Sequence, residues 1–134
     1  VVPVEVHAGR YLLVVLGDAA AVAAVTPDMR ALRTIRGEAG EAGHVIICAP
    51  AEADDDVDVV DRFFAPGCGV DEDPATGSAH CLLGPFWAGR LGRETVRFRQ
   101  VFPTRGGEIE TGVRGDRVLL RGRAVTTVES RLRV

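Results

Sequence analysis

The chain has 134 residues, 46% of them hydrophobic, and a net charge of −3, which suits a single domain with a buried core and argues against disorder. Its scattered basic residues give no electrostatic footing for nucleic acid or an anionic membrane, and no apolar stretch reaches the roughly 18 residues of a membrane span. All sixteen basic residues are Arg, which excludes a lysine Schiff base and a P-loop lysine.

In chain order, residues 3–7 alternate like a strand and residues 11–16 form a second, with Ala8, Gly9 and Arg10 as a tight hairpin connection. His7 is read as hairpin surface. Asp18 caps an Ala-rich segment over residues 19–25. Thr26, Pro27 and Asp28 predict a helix over residues 27–35, with a capping hydroxyl, Pro in the first position and an acid in the first turn. That helix would bury Met29, Leu32 and Ile35 and turn Arg30, Arg33 and Arg36 to solvent. Residues 37–43 are a loop, and residues 44–49 a short apolar strand with His44 at its mouth. The acidic run 52–58 cannot gather its aspartates on one ion, because neighbours on an extended chain point in alternating directions. It is read as a solvated loop. Residues 57–64 predict a strand that brings Arg62 near the carboxylates that follow, and residues 65–70 a loop.

The stretch from Asp71 to Gly92 is the centre of the chain. Three acids, Asp71, Glu72 and Asp73, precede Pro74, and Thr76, Gly77 and Ser78 mark a helix N-terminus. Ser and Thr hydroxyls can take up the free N–H groups of a first turn, and Gly allows a ligand close approach. Those N–H groups and the helix dipole make a ready anion site. The helix is apolar almost all round, which predicts burial on every side. Arg90 and Gly92 form its stop, a cation in the last turn with a Gly after it. Beyond it, residues 95–102, 108–111, 118–120 and 124–128 read as strands, with turns at Arg105 to Gly107, Arg114 to Asp116 and Arg121 to Arg123. They predict a β-meander. Cys48, Cys68 and Cys81 are too few and too dispersed for a zinc motif or a disulfide framework. They are read as reduced thiols of a cytoplasmic protein, with Cys81 a buried small hydrophobe. The chain opens on a strand-like segment and its only Met is Met29, so it is expected to be part of something longer. Together these elements predict an α+β fold, a curved and mostly antiparallel sheet rolled around one central helix.

The run Glu72-Asp-Pro-Ala-Thr-Gly-Ser-Ala-His-Cys81, followed by Pro85-Phe-Trp87 and Arg90-Leu-Gly92, resembles the signature of the PhzF-like (phenazine biosynthesis) family. Arg62-Phe-Phe-Ala-Pro66 is similar to that family's lead-in. The resemblance implies a diaminopimelate-epimerase-like architecture of two similar domains, each a sheet around a central helix, with the active site in the cleft between them. Residues 1–134 match only its C-terminal domain. The N-terminal domain, which in the family supplies the main proton-transfer glutamate, has no counterpart here. A second departure is the spacing from Gln100 to Arg105-Gly-Gly107, one residue longer than the family's. No role is therefore carried over to Gln100 or Arg105.

The resemblance implies an isomerase that moves a proton without metal or organic cofactor on a small carboxylate-bearing metabolite. Asp73 matches the family's carboxylate in this domain and is the first catalytic candidate. Thr76, Gly77 and Ser78 would hold the substrate anion at the helix N-terminus. His80, in the first helical turn, is the second catalytic candidate. A helix N-terminus lowers the pKa of a His, so it would be neutral there and able to donate or relay a proton. The competing expectation is a non-catalytic domain that binds a small anion or a protein. Its exposed cleft face would then be met by an N-terminal domain or a second copy of the chain, most simply as a twofold dimer.

Overall fold

The computed structural model of the chain describes residues 1–38, 40 and 42–133. Its elements are β1 (Glu5–His7), β2 (Leu12–Val15), α1 (Ala19–Ala24), α2 (Met29–Leu32), β3 (Val45–Pro50), β4 (Val59–Ala65), a 3-10 turn (Pro66–Cys68), β5 (Val70–Asp73), α3 (Gly77–Leu91), β6 (Thr95–Gln100), β7 (Gly107–Arg114) and β8 (Arg117–Gly122). The strands form one sheet in the order β1-β2-β3-β4-β6-β7-β8, with β5 on β4. The β2–β3 and β4–β6 pairs are parallel and the others antiparallel. The sheet is therefore mixed and mostly antiparallel, in an α+β chain.

Strand alternation divides the core. From β3, Ile46 and Cys48 point to one side and Val45, Ile47 and Ala49 to the other; from β4, Val59 and Phe63 are set against Val60 and Phe64. The first side packs on α3 through Ala79, Leu83, Trp87 and Ala88, together with Leu13, Val15, Val96, Phe98 and Val113. Five strands, about 19 Å wide if flat, thus meet one helix about 10–12 Å across. The sheet must curl to make those contacts. The second side is covered by α1 and α2 through Val22, Ala21, Met29 and Leu32. No helix among the described residues is long and apolar enough to cross a membrane.

Several expectations hold. Asp18 caps α1 by accepting from the Ala21 N–H at 2.7 Å. β1 and β2 form the hairpin, and β6, β7 and β8 form the meander. α3 ends on Gly92, whose φ of 65° lies in the left-handed region open to glycine.

Others are corrected. α2 begins at Met29, and its cap is Asp28, which accepts from the Ala31 N–H at 3.0 Å, rather than Thr26. Arg121 and Gly122 finish β8 instead of making a turn. Residues 124–128 pair with no strand, and Val125 and Val128 are exposed. α3 is not buried on every side: Cys81, Pro85 and Gly89 form an exposed stripe, which also removes Cys81 from the core. The acidic run does lie in a loop, but it is not simply solvated. Both oxygens of Asp55 accept from Arg99 at 2.8 Å, and Asp56 accepts from the same guanidinium at 2.5 Å.

Candidate functional site

The three acids lie on a strand, and its alternation gives them different tasks. β5 pairs with β4 so that Phe64 opposes Glu72 and Phe63 opposes Asp73. Directly opposed residues share a face. Glu72 therefore lies on the α1 side with Phe64, and Asp73 on the α3 side with Phe63. Arg62 reaches Glu72 as a fork, Nε donating to Oε1 at 2.7 Å and Nη2 to Oε2 at 3.0 Å. Its Nη1 donates to the carbonyls of Val22 at 3.2 Å and Val25 at 2.7 Å, at the end of α1. Both partners are only 11% exposed. Arg62 thus meets the acids as expected, but it serves to fasten β5 to the sheet. Asp71 is exposed and faces Arg33 at 3.6 Å.

Asp73 is half-buried and held from below. The Thr76 hydroxyl donates to its Oδ2 at 2.5 Å. That hydroxyl in turn accepts from Gln100 Nε2 at 3.1 Å, and the same Nε2 donates to the Asp73 carbonyl at 2.5 Å. Gln100 Oε1 accepts from the Thr76 N–H at 2.7 Å. The reversed amide would set donor against donor, so the network fixes its orientation. Gln100 is fully buried and clamps both ends of the Asp73–Thr76 turn. Thr76, expected among the ligand-holding groups, spends both polar groups inside the protein, where they position Asp73.

No side chain caps the N-terminus of α3. Gly77 and Ser78, which contribute first-turn N–H groups, are both exposed. A Cβ at Gly77 would meet only Leu120 Cδ1, at an ordinary 3.4 Å, so the fold itself does not demand glycine there. Ser78 Oγ accepts from the Tyr11 hydroxyl at 3.1 Å, across 67 positions of sequence.

His80 departs furthest from expectation. It is fully buried and shares the inward stripe of Leu83, Gly84 and Trp87. Its Nδ1 lies 2.8 Å from the Thr76 carbonyl, and its ring meets Phe98 edge-on at 5.0 Å. Nε2 lies 3.3 Å from Oδ2 of Asp61, itself fully buried on β4. Burial pushes the imidazole down, but the Asp61 carboxylate and the Thr76 carbonyl outweigh it, and the pKa ends above the ordinary value. His80 is thus held from the core side and does not line the cleft, and its pKa is raised where the helix N-terminus alone would lower it.

Asp73, Thr76, Gly77 and Ser78 are brought together, and His80 supports them from beneath. Sequence reasoning missed Tyr11, just before β2, and Asp61 on β4, and it carried no role over to Gln100 at the end of β6. For His80 a signal was present, because positions 80, 83, 84 and 87 follow the helical period. A groove of about 610 Å³ opens on the far side of Gln100, between Phe98, Arg105, Gly107, Ile109 and Arg123; Asp73, Gly77 and Ser78 do not line it. Among the described residues no cluster of His, Cys, Asp and Glu has the makings of a metal site.

The site residues thus set a carboxylate beside an uncapped helix N-terminus on a curled α+β sheet. The chain belongs to the phenazine biosynthesis-like protein family, whose model matches residues 1–130. It is 43% identical over 125 residues to an uncharacterized isomerase of Pseudomonas aeruginosa, covering 92% of this chain and 44% of that protein. With phenazine biosynthesis-like domain-containing protein 2 of Mus musculus it shares 47% identity over 76 residues, 56% of this chain and 26% of the relative. The crystal structure of a PhzF-family phenazine biosynthesis protein of Enterococcus faecalis matches with a TM-score of 0.77 and 38% identity, covering 92% of this chain and 46% of that one. The chain thus spans less than half the length of these relatives, and the family it joins is isomerase-like.

Proposed function

We propose that the chain is one half of a proton-transfer isomerase or epimerase acting on a small carboxylate-bearing metabolite without metal or organic cofactor. In this reading the fold is a diaminopimelate-epimerase-like half, and an N-terminal domain closes the cleft. The observation that carries it is the juxtaposition of Asp73, one oxygen fixed by Thr76, with the uncapped first turn at Gly77 and Ser78. The N–H groups of Gly77 and Ser78 take the substrate carboxylate, and the Tyr11–Ser78 hydroxyl pair adds a donor at the same end of the helix. Asp73 then faces the carbon or amine beside that carboxylate, where a base held within hydrogen-bond reach can move a proton. A second carboxylate from the closing half supplies the opposite face. Two carboxylates in one dry cleft hold each other at different pKa values, one as acid and one as base. His80 and Asp61 hold the helix start from below and do not touch substrate. The exposure of Gly77 and Ser78 in this chain alone favours one alternative closure. A second copy would set Asp73 against its symmetry mate, as a self-dimerising binding domain without turnover.

The test is deuterium wash-in from heavy water, followed by NMR on a panel of small carboxylates with the complete natural polypeptide. Wild type incorporates deuterium next to the carboxylate of at least one member, and Asp73→Asn slows this by about 100-fold or more with an unchanged Tm. Exchange that persists in Asp73→Asn contradicts the reading. Carboxylate binding without exchange, on a chain that dimerises, selects the binding domain.

A further inference from the structure

We propose that Cys68 is a base-assisted thiol, with His44 as its base, at which a small disulfide forms a mixed disulfide with the protein. The Pro66–Cys68 turn leaves Cys68 exposed, and its Sγ lies 3.3 Å from His44 Nε2. His44 is no mobile strand-edge residue. Its ring stacks on Tyr11 at 5.0 Å and 30°, and on Phe63 at 5.8 Å and 28°, both on the α3 side of the sheet. Its Nδ1 is buried with no hydrogen-bond partner among the described residues. Nε2 faces the thiol, and it can accept the thiol proton in the tautomer that carries the ring hydrogen on Nδ1. An imidazole held in contact with a thiol raises the thiolate fraction, and the thiolate is the nucleophile.

The chain's other thiols lack this arrangement. Cys48 is fully buried, and burial pushes its thiol up to about 12. Cys81 is exposed on α3 with no base against it among the described residues. Among the described residues the charged groups near the dyad include Arg10, whose guanidinium lies 5.6 Å from the Tyr11 ring, and the exposed Arg33–Asp71 pair beside the turn.

The exchange balances without any further oxidant. Cys68 gives its proton to His44 Nε2, and the thiolate attacks one sulfur of the disulfide. The bond from Sγ to that sulfur forms as the original S–S bond breaks. The leaving thiolate takes the electron pair and recovers the proton from the imidazolium. The adduct would sit against His44, whose ring supports Tyr11 and, through it, Ser78.

The test follows reaction of the reduced complete polypeptide with the aryl disulfide dithiobis-nitrobenzoate, with peptide mapping to give a rate for Cys68 alone. Folded Cys68 is expected to react on the order of threefold to tenfold faster than the same cysteine in the urea-unfolded protein near neutral pH. His44→Gln should return the rate to the unfolded value. A folded rate no faster than the unfolded one overturns the proposal, whether or not the variant folds. A folded His44→Gln that keeps the fast rate overturns the assignment of the base. Neither readout depends on isomerase activity.

Discussion

The two ends of α3 are finished in opposite ways. At its C-terminus, Gly92 takes the left-handed conformation and returns its N–H to the Ala88 carbonyl. Arg90 lies 4.2 Å over the Phe86 ring and pairs with Glu5. At its N-terminus, Thr76 gives its hydroxyl to Asp73 and its N–H to Gln100, and no side chain takes the first-turn donors. One end is closed by its own chain; the other is braced from three strands yet left open outward. Polar groups spent on holding an end, without capping it, are what a binding site requires of a helix.

The sharpest way to break this contrast is to remove the brace under the open end. His80→Asn leaves the buried Asp61 without its partner and should cost about 3–5 kcal/mol in urea unfolding. Replacing His80 and Asp61 together with Leu should restore most of that loss, because the pair itself is expensive to bury. The pH dependence follows from the sign of the shift. The His80 pKa is raised in the fold, so its stabilisation is complete below the ordinary histidine range and is lost as pH rises through the raised value. The double Leu variant should be flat across that window. Next, Gln100→Ala orphans the Thr76 N–H and the Asp73 carbonyl, for about 2–3 kcal/mol; Gln100→Glu, which keeps the acceptor for Thr76 but sets a buried carboxylate against the Asp73 carbonyl, should cost at least as much at neutral pH. At the closed end, Gly92→Ala forces a Cβ into φ 65° and should cost about 1 kcal/mol by the same assay. Smallest is Glu5→Gln. Arg90 holds that carboxyl down to about 2, yet the pair is exposed and its loss should lower the Tm at neutral pH only slightly. Its contribution belongs above the ordinary carboxylate range and fades as pH falls toward about 2.

The closed end was legible in the sequence because its signals are local: Arg90, then Gly92, at the distances a helix stop requires. The Asp18 cap and the strands β4 and β6 were legible for the same reason. The open end was legible only in part. Asp73, Gly77 and Ser78 stand in one motif, but β5 is a strand only because β4 pairs with it and Arg62 grips Glu72. Gln100, Tyr11 and Asp61 reach the site through sheet registers that no local pattern encodes. Reading α3 as apolar all round hid the stripe that carries His80 inward and the face that leaves Cys81 exposed. Residues 124–128 were read as a strand of the meander but pair with none, which shows that β-branched composition alone does not make one.

The most direct measurement of the open-end claim is a backbone-amide NMR titration of the complete polypeptide with a small carboxylate that supports deuterium wash-in. The account predicts saturable shifts centred on the Gly77 and Ser78 amides, with Gly92 and its neighbours silent. Saturable binding whose shifts leave Gly77 and Ser78 unmoved would contradict it.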